Sequence, residues 1–528
     1  MIRLLVFLIC LSPLLAADTP KIASPNSPIK HPYAPVEPSP SPLEDLESLE
    51  EGDALVSRKL AESSILRVNS TNQAYDFFQP WLKKSPVSRR GVGVLVQGGR
   101  VLVTAELVMN SNFVELEKAT TAEKSSAIVE RVDYDCNLAL LRPNDPAFLE
   151  GTKPLVLEKS LRVGSEATVL QVETNGEIAQ TIGEITSISV GAYPLENLGL
   201  LLYKLRVPLQ QRDGSFTLPA VSDGRLVGLV MRFDARSQSA DLISTPVIRH
   251  FLESPAQARF PRMGIAFSSL RDPQFRRFIG LTEPGGVYVN EVSPHGSAAE
   301  AGIKKGDVIL ALDGRPIDQD GNYEDPNFGR VLFSHLTNTV AKSGSEVTFT
   351  LFRNGKLMKL SAKMQAPDRS HVVSEAQLAD QPPNYVVLGG LVFLELSRPY
   401  LQEWGNDWIN TAPKRLVYYD AFQNELPEGR GKIVILDQVL PVSETLGYEA
   451  IRSLVVTQVN GRPVRSLVDV AEAAKKPIKG FHKIEFEEDP KTIFLDAAAV
   501  EAHQKALIEQ YSLPALQRLK GKKAPLKL

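Results

Sequence analysis

The feature that most constrains this chain is a pattern that occurs twice at one spacing. Tyr288-Val289-Asn290-Glu291-Val292-Ser293-Pro294 returns as Ile435-Leu436-Asp437-Gln438-Val439-Leu440-Pro441, and Asp313-Gly314-Arg315-Pro316-Ile317 returns as Asn460-Gly461-Arg462-Pro463-Val464. Both pairs lie 147 positions apart (288 to 435 and 314 to 461), so the distance between the two motifs is the same in each copy. Each copy is an apolar strand ending at proline, followed later by an Asx-Gly turn that needs backbone with φ above zero. The C-terminal half therefore holds two related units. A chain of 528 residues has room for about one domain more.

Upstream of the repeat, short apolar runs are separated by Gly, Asn and Asp turns. Strands are expected at Gly91 to Val96, Arg100 to Thr104, Ala127 to Val132, Leu138 to Leu141, Ala167 to Val172, Leu200 to Val207 and Arg225 to Phe233, closed by a helix from Pro246 to Glu253. Strands without intervening helices point to an all-β barrel pair or sandwich. With 43% hydrophobic and 23% charged residues the chain is neither disordered nor fibrous, and a net charge of -3 gives no electrostatic reason for a nucleic-acid partner.

The first residues have the layout of an export signal: Met-Ile-Arg, an apolar run from Leu4 to Leu15, then Ala16-Ala17-Asp18. Residues 1–17 are expected to be removed, with an uncleaved anchor as the alternative, although the run is short for a membrane span. Residues 18–63 comprise a Pro- and Ser-rich tether and an acidic helix from Leu43 to about Ala61, and 515–528 form a basic tail. With Cys10 gone, Cys136 stands alone, which rules out an intrachain disulfide and a cysteine cluster for metal or redox chemistry. No cofactor and no metal are expected.

The repeated units resemble PDZ domains. Pro294 to Leu310, Pro-His-Gly-Ser-Ala-Ala-Glu-Ala-Gly-Ile-Lys-Lys-Gly-Asp-Val-Ile-Leu, is similar to the helix, turn and strand of PDZ domains in the HtrA (protease Do-like, Deg) family. The block Asn384 to Pro413, with Gly389-Gly390-Leu391-Val392-Phe393 and Glu403-Trp404-Gly405-Asn406-Asp407-Trp408, resembles the divergent C-terminal PDZ domain of plant Deg proteases. The likeness covers about Ala74 to Leu516. It implies a mainly β architecture: a chymotrypsin-like double β-barrel (64–253) followed by two PDZ-type domains (254–370 and 380–514).

PDZ domains add an extended peptide to a sheet edge and hold its terminal carboxylate in a loop of backbone amides. By resemblance, that loop is Arg262-Met263-Gly264-Ile265 and the edge strand is Ile265-Ala266-Phe267-Ser268. The opposite wall is expected to be a helix near Gly329 to Val340 carrying Leu332, Phe333 and Leu336, with His335 either facing the groove or packing. Phe393 and the tryptophans of the second unit are expected to be core residues of a domain that packs rather than captures free peptide ends.

The same resemblance locates a lost catalytic triad. Family members carry the histidine in Thr-Asn-x-His-Val, matched by Thr104-Ala105-Glu106-Leu107-Val108; the aspartate in Asp-Leu-Ala-Leu-Leu, matched by Asn137-Leu138-Ala139-Leu140-Leu141; and the serine in Gly-Asn-Ser-Gly-Gly-Pro, matched by Gly214-Ser215-Phe216-Thr217-Leu218-Pro219. Leu107, Asn137 and Phe216 thus stand where base, orienting carboxylate and nucleophile are required. The seven histidines are His31, His250, His295, His335, His371, His482 and His503, so no shift of alignment supplies a base between Lys84 and Arg249.

Two classes of function follow: a non-catalytic protein binding unfolded or C-terminal polypeptide segments through PDZ 1, as scaffold, chaperone or adaptor, or an active serine endopeptidase. Residue chemistry favours the first. The resemblance also implies a homo-oligomer, a trimer or a multiple of it, and the signal layout implies export, to a bacterial periplasm or envelope above secretion.

Overall fold

A computed structural model describes residues 63–519 apart from 211–216, 257, 369–371, 377 and 424–430. The expected export signal, tether and acidic helix and most of the expected basic tail lie outside the described residues, as does Phe216.

Six strands close the first barrel: β1 (Ile65–Asn72), β2 (Val87–Val96), β3 (Arg100–Thr104), β4 (Ser111–Lys118), β5 (Lys124–Asp133) and β6 (Leu138–Pro143), in the order β1-β2-β3-β6-β5-β4. Six more close the second: β7 (Glu166–Val172), β8 (Ile178–Ala192), β9 (Gly199–Arg206), β10 (Leu218–Ser222), β11 (Arg225–Asp234) and β12 (Ser239–Ser244), in the order β10-β11-β12-β9-β8-β7. Closure leaves no open edges, so alternate residues of each strand fill the interior. Leu66, Val68, Val101, Val103, Leu116 and Leu141 pack in the first barrel.

All seven expected strands form, and five more join them. The additions β1, β4, β8, β10 and β12 include the most polar segments; β8 is Ile-Ala-Gln-Thr-Ile-Gly-Glu-Ile-Thr-Ser-Ile-Ser-Val-Gly-Ala. Such a strand carries a weak apolar signal and is held by ladders to β7 and β9 on both sides. The closing helix spans Thr245–Glu253, with Pro246 in its first turn.

The next unit forms a sheet in the order β13 (Ile265–Ser269), β14 (Val287–Val292), β15 (Val308–Leu312), β19 (Glu346–Arg353), β20 (Lys356–Lys363); β16 (Arg315–Pro316) pairs with β15. A separate hairpin joins β17 (Asn322–Asp325) to β18 (Gly329–Leu332).

The last unit has eight strands, β21 (Tyr385–Leu388), β22 (Leu391–Glu395), β23 (Val434–Val439), β24 (Leu454–Val459), β25 (Arg462–Pro463), β26 (Phe481–Phe486), β27 (Thr492–Asp496) and β28 (Gln517–Arg518). Their order is β27-β26-β24-β23-β22-β21-β28, with β25 on β24. The repeat seen in the sequence is thus β14 matched to β23 and the turn after β15 matched to the turn after β24. Asp313 and Asn460 both have positive φ, 45° and 51°, ahead of their glycines.

Candidate functional sites

Where the barrels meet, β3 runs into the short helix Ala105–Val108, which buries Leu107 completely in the first barrel's core. Asn137 follows at the start of β6 with φ of 55°, a left-handed conformation asparagine tolerates. Its backbone oxygen accepts from Ala105 N at 3.0 Å, and its side-chain oxygen accepts from Glu106 N at 3.0 Å. It caps the helix that carries Leu107, while its Nδ2 is buried without a partner.

Across the seam, Thr217 is fully buried. Its Oγ1 accepts from Thr104 N at 3.0 Å and pairs with the Thr104 hydroxyl, and its backbone oxygen accepts from Val92 N at 2.9 Å. A side-chain carbon added to Gly91 would lie 3.0 Å from Leu107 and 3.3 Å from Thr217, so these groups are close-packed. Neither Leu107 nor Asn137 titrates, and the hydrogen bonds here tie barrel to barrel. Next to Leu107, burial raises the Glu106 carboxyl above its ordinary range, with Arg89 and Arg232 pulling it back. Beside the seam lies a cleft of about 500 Å³ whose walls include Arg67, Arg90, Phe113, Glu115, Lys124 and Leu218.

In the first repeated unit, Met263 is buried and its carbonyl accepts from Ala298 N at 3.0 Å. Gly264 has φ of 77° and accepts from Ser293 N at 2.8 Å. Preceding it, Arg262 and Arg259 donate to the buried Asp135 at 2.7 and 3.1 Å, fixing the loop to the first barrel beside Asn137. Ile265, Ala266 and Phe267 lie on β13, which pairs with β14 on one side and ends its sheet on the other, among the described residues. Ile265 and Phe267 are half-buried and Ala266 is exposed.

The expected helix over Gly329 to Val340 is corrected. Gly329–Leu332 is strand β18, paired with β17, and the helical part is confined to 334–340, of π type over Leu336–Val340. Gly329 sits at φ of 69°, which suits a hairpin rather than a helix start. Leu332 is therefore a half-buried strand residue, while Phe333, whose ring lies tilted at 4.9 Å from Phe267, and Leu336 are buried.

His335 is 2% exposed, with its ring edge-on to Phe328 at 5.7 Å and no partner for Nδ1. Burial drives its pKa down to about 4, against the weaker upward pull of Asp325. The turn it begins docks on the second barrel: Asn338 donates to Gly199 O at 3.0 Å, and His250 Nδ1 lies 3.0 Å from Thr339 O.

The second repeated unit differs at the corresponding place. Gly389 and Gly390, with φ of 56° and 94°, turn tightly between β21 and β22. Strand β22 matches β13, but its far side is paired with β21, which in turn pairs with β28. The chain's own strand occupies the position an added peptide would take. Phe393 is fully buried.

One contact had no counterpart in the sequence reading. The β1–β2 loop reaches this unit: Phe78 packs edge-on against Trp404 at 4.9 Å and Tyr400 at 5.8 Å, and Lys84 pairs with Glu403 at 2.6 Å. The aromatic run Tyr75-Asp76-Phe77-Phe78-Gln79-Pro80-Trp81 was its only signal.

PDZ-domain family patterns match residues 261–364 and 373–517. Protease Do-like 2, chloroplastic, of Arabidopsis thaliana is 25% identical over 86% of this chain and 74% of the relative. Protease Do-like 4, mitochondrial, from the same plant is 23% identical over 86% and 85%. The chain belongs to the HtrA/Deg family. Its likeness to other HtrA/Deg proteins spans barrels and PDZ units together. Among solved structures, an HtrA-type protease with a decapeptide is 17% identical, covering 60% of this chain and 98% of its own, with a TM-score of 0.47. In this HtrA/Deg chain, the sequence-assigned residues fall into two separate places, Leu107 and Asn137 at the barrel seam and Met263 to Phe267 with Leu332 to Leu336 on PDZ 1.

Proposed function

We propose that this HtrA/Deg chain is a pseudoprotease that binds extended polypeptide segments through PDZ 1 and acts as a scaffold, chaperone or adaptor in envelope protein quality control. The observation that carries the reading is the triad: Leu107, Asn137 and Phe216 stand at the three positions, and no histidine occurs between Lys84 and Arg249. Acyl transfer needs a base within hydrogen-bond reach of its nucleophile. Thr217, tied to Thr104, further supports a seam built for cohesion.

Peptide capture is assigned to PDZ 1 because β13 ends its sheet among the described residues, whereas β22 is already paired with β21. An added strand would hydrogen-bond along Ile265, Ala266 and Phe267, with its carboxylate at Met263-Gly264 and its terminal side chain toward Leu332 above Leu336 and His335. The chain is read as exported, with residues 1–17 as its signal, and as a homo-oligomer like its relatives' family.

Calorimetric titration of a peptide with an apolar C-terminus, alongside incubation with unfolded casein and a fluorophosphonate probe, tests both halves. Saturable binding with intact casein and no label is expected. Labelling that Ser215→Ala abolishes would replace the reading with an active endopeptidase.

A further inference from the structure

The far end of the PDZ 2 sheet is an edge strand with no described partner. Strand β27 is terminal in the order β27-β26-β24-β23-β22-β21-β28, and no described strand pairs with its outer side. Which backbone groups face outward follows from the hydrogen bonds of β26. Lys483 directs both its N–H and its C=O to Asn460, at 2.8 Å each, away from β27. On the β27 side, Ala497 N donates to Gly480 O at 2.9 Å and Phe486 N donates to Lys491 O at 3.0 Å.

Hydrogen-bonded and non-bonded pairs alternate in an antiparallel ladder. With Lys483 opposite Phe494, Glu485 opposite Thr492 and Phe481 opposite Asp496, these three are the non-bonded pairs. Thr492 and Phe494 therefore turn both their N–H and C=O groups outward, and Asp496 turns its N–H outward while its C=O opens the helix Ala497–Tyr511 as N-cap. Their side chains share the outer face, where Phe494 is 52% exposed and Phe481 beside it 45%.

Sheet edges are ordinarily guarded against pairing by charge, above all lysine. The outer edge of PDZ 1 is guarded in this way, with Lys356, Lys359 and Lys363 on β20. Strand β27 has none: Thr-Ile-Phe-Leu-Asp carries one charge, at its end.

We propose that β27 pairs antiparallel with β27 of a second copy of this chain, on a two-fold axis through Phe494. In that register Phe494 meets Phe494 of the second copy, and Thr492 faces Asp496 of the second copy on either side. The Phe494 pair exchanges both backbone hydrogen bonds, and in each flanking pair the Asp496 N–H donates to the Thr492 carbonyl. No like charges meet across the seam, and the Thr492 hydroxyl can donate to the opposing carboxylate. The aliphatic stems of the two Lys483 side chains flank the aromatic pair. A second copy fits better than a foreign strand because the polar and apolar positions of Thr-Ile-Phe-Leu-Asp complement their own reversed order. This interface is independent of peptide capture by PDZ 1.

The full-length chain is tested by light scattering after size exclusion, with Phe494→Lys, which sets two ammonium groups across the axis. Wild type is expected as an even-numbered assembly whose mass the variant halves. In a hydrogen-bonded antiparallel pair the Cα atoms lie about 5.5 Å apart, within disulfide reach. Oxidised Phe494→Cys should then run as a covalent dimer, while wild type and Leu357→Cys on β20 should not. An unchanged mass in Phe494→Lys, or no cross-link at position 494 under conditions where the protein is folded, would overturn the proposal.

Discussion

Acidification should loosen PDZ 1 from the second barrel, and His335 sets the size of the effect. An imidazole in water titrates near 6.5, whereas the buried His335 is held to about 4. The docked form thus requires the neutral ring, and it is favoured in full above pH 6.5. As pH falls from 6.5 toward 4, the released form takes up a proton that the docked form refuses, so stability is lost across that window. At pH 5 the gap is about 1.5 pH units, or about 2 kcal/mol at about 1.36 kcal/mol per unit. Asp325 faces the ring and opposes the shift, Arg315 adds to it, and His250 across the interface is lowered too, mainly by burial. Urea unfolding at pH 7.5 and pH 5 checks this in wild type and His335→Leu. The wild type should lose about 2 kcal/mol more than the variant, and the His335 resonance should stay neutral in NMR down to pH 5. A ring titrating near 6.5, or equal acid sensitivity in the two proteins, would refute the burial argument.

Rebuilding the triad with Leu107→His, Asn137→Asp and Phe216→Ser should give no useful turnover, measured on casein. Thr217 would still engage Thr104, and a lost oxyanion donor alone costs about 100-fold to 1000-fold. Gly264→Val should weaken binding of an apolar-ended peptide at least about tenfold by calorimetry, about 1.4 kcal/mol, because a β-branched residue is strained at φ of 77°. Phe393→Ala should cost about 3–5 kcal/mol of stability in thermal unfolding and leave peptide affinity unchanged, since the ring is buried beneath a groove position already filled by β21. Phe77→Ala, at the 8%-exposed ring of the β1–β2 loop, should lower the melting temperature and raise protease sensitivity of that loop.

The repeat showed two related C-terminal units, and the strand punctuation showed a β-rich part before them with seven of its twelve strands. An offset of 147 kept through two motifs fixes β14, β15, β23 and β24 in register, because a one-residue slip would turn each buried face outward. The residues at 107, 137 and 216 and the spacing of histidines were equally legible, being properties of the sequence, while their matching to triad positions came from the family resemblance. What depended on distant partners was not. Gly329 to Val340 has apolar residues at helical spacing, yet β17 captures its first half as a hairpin strand and the second barrel holds its second half as a turn. His335 looked the same whether it lined a groove or an interior, and tertiary packing, with Phe328 edge-on to the ring, decided that it is buried and neutral. Likewise the two PDZ units share their strand motifs, and only the pairing of β21 with β22 distinguishes a closed edge from an open one. Hydrogen bonding between strands is set by which segments meet in space, and local sequence period records the face a residue takes but not the neighbour it finds.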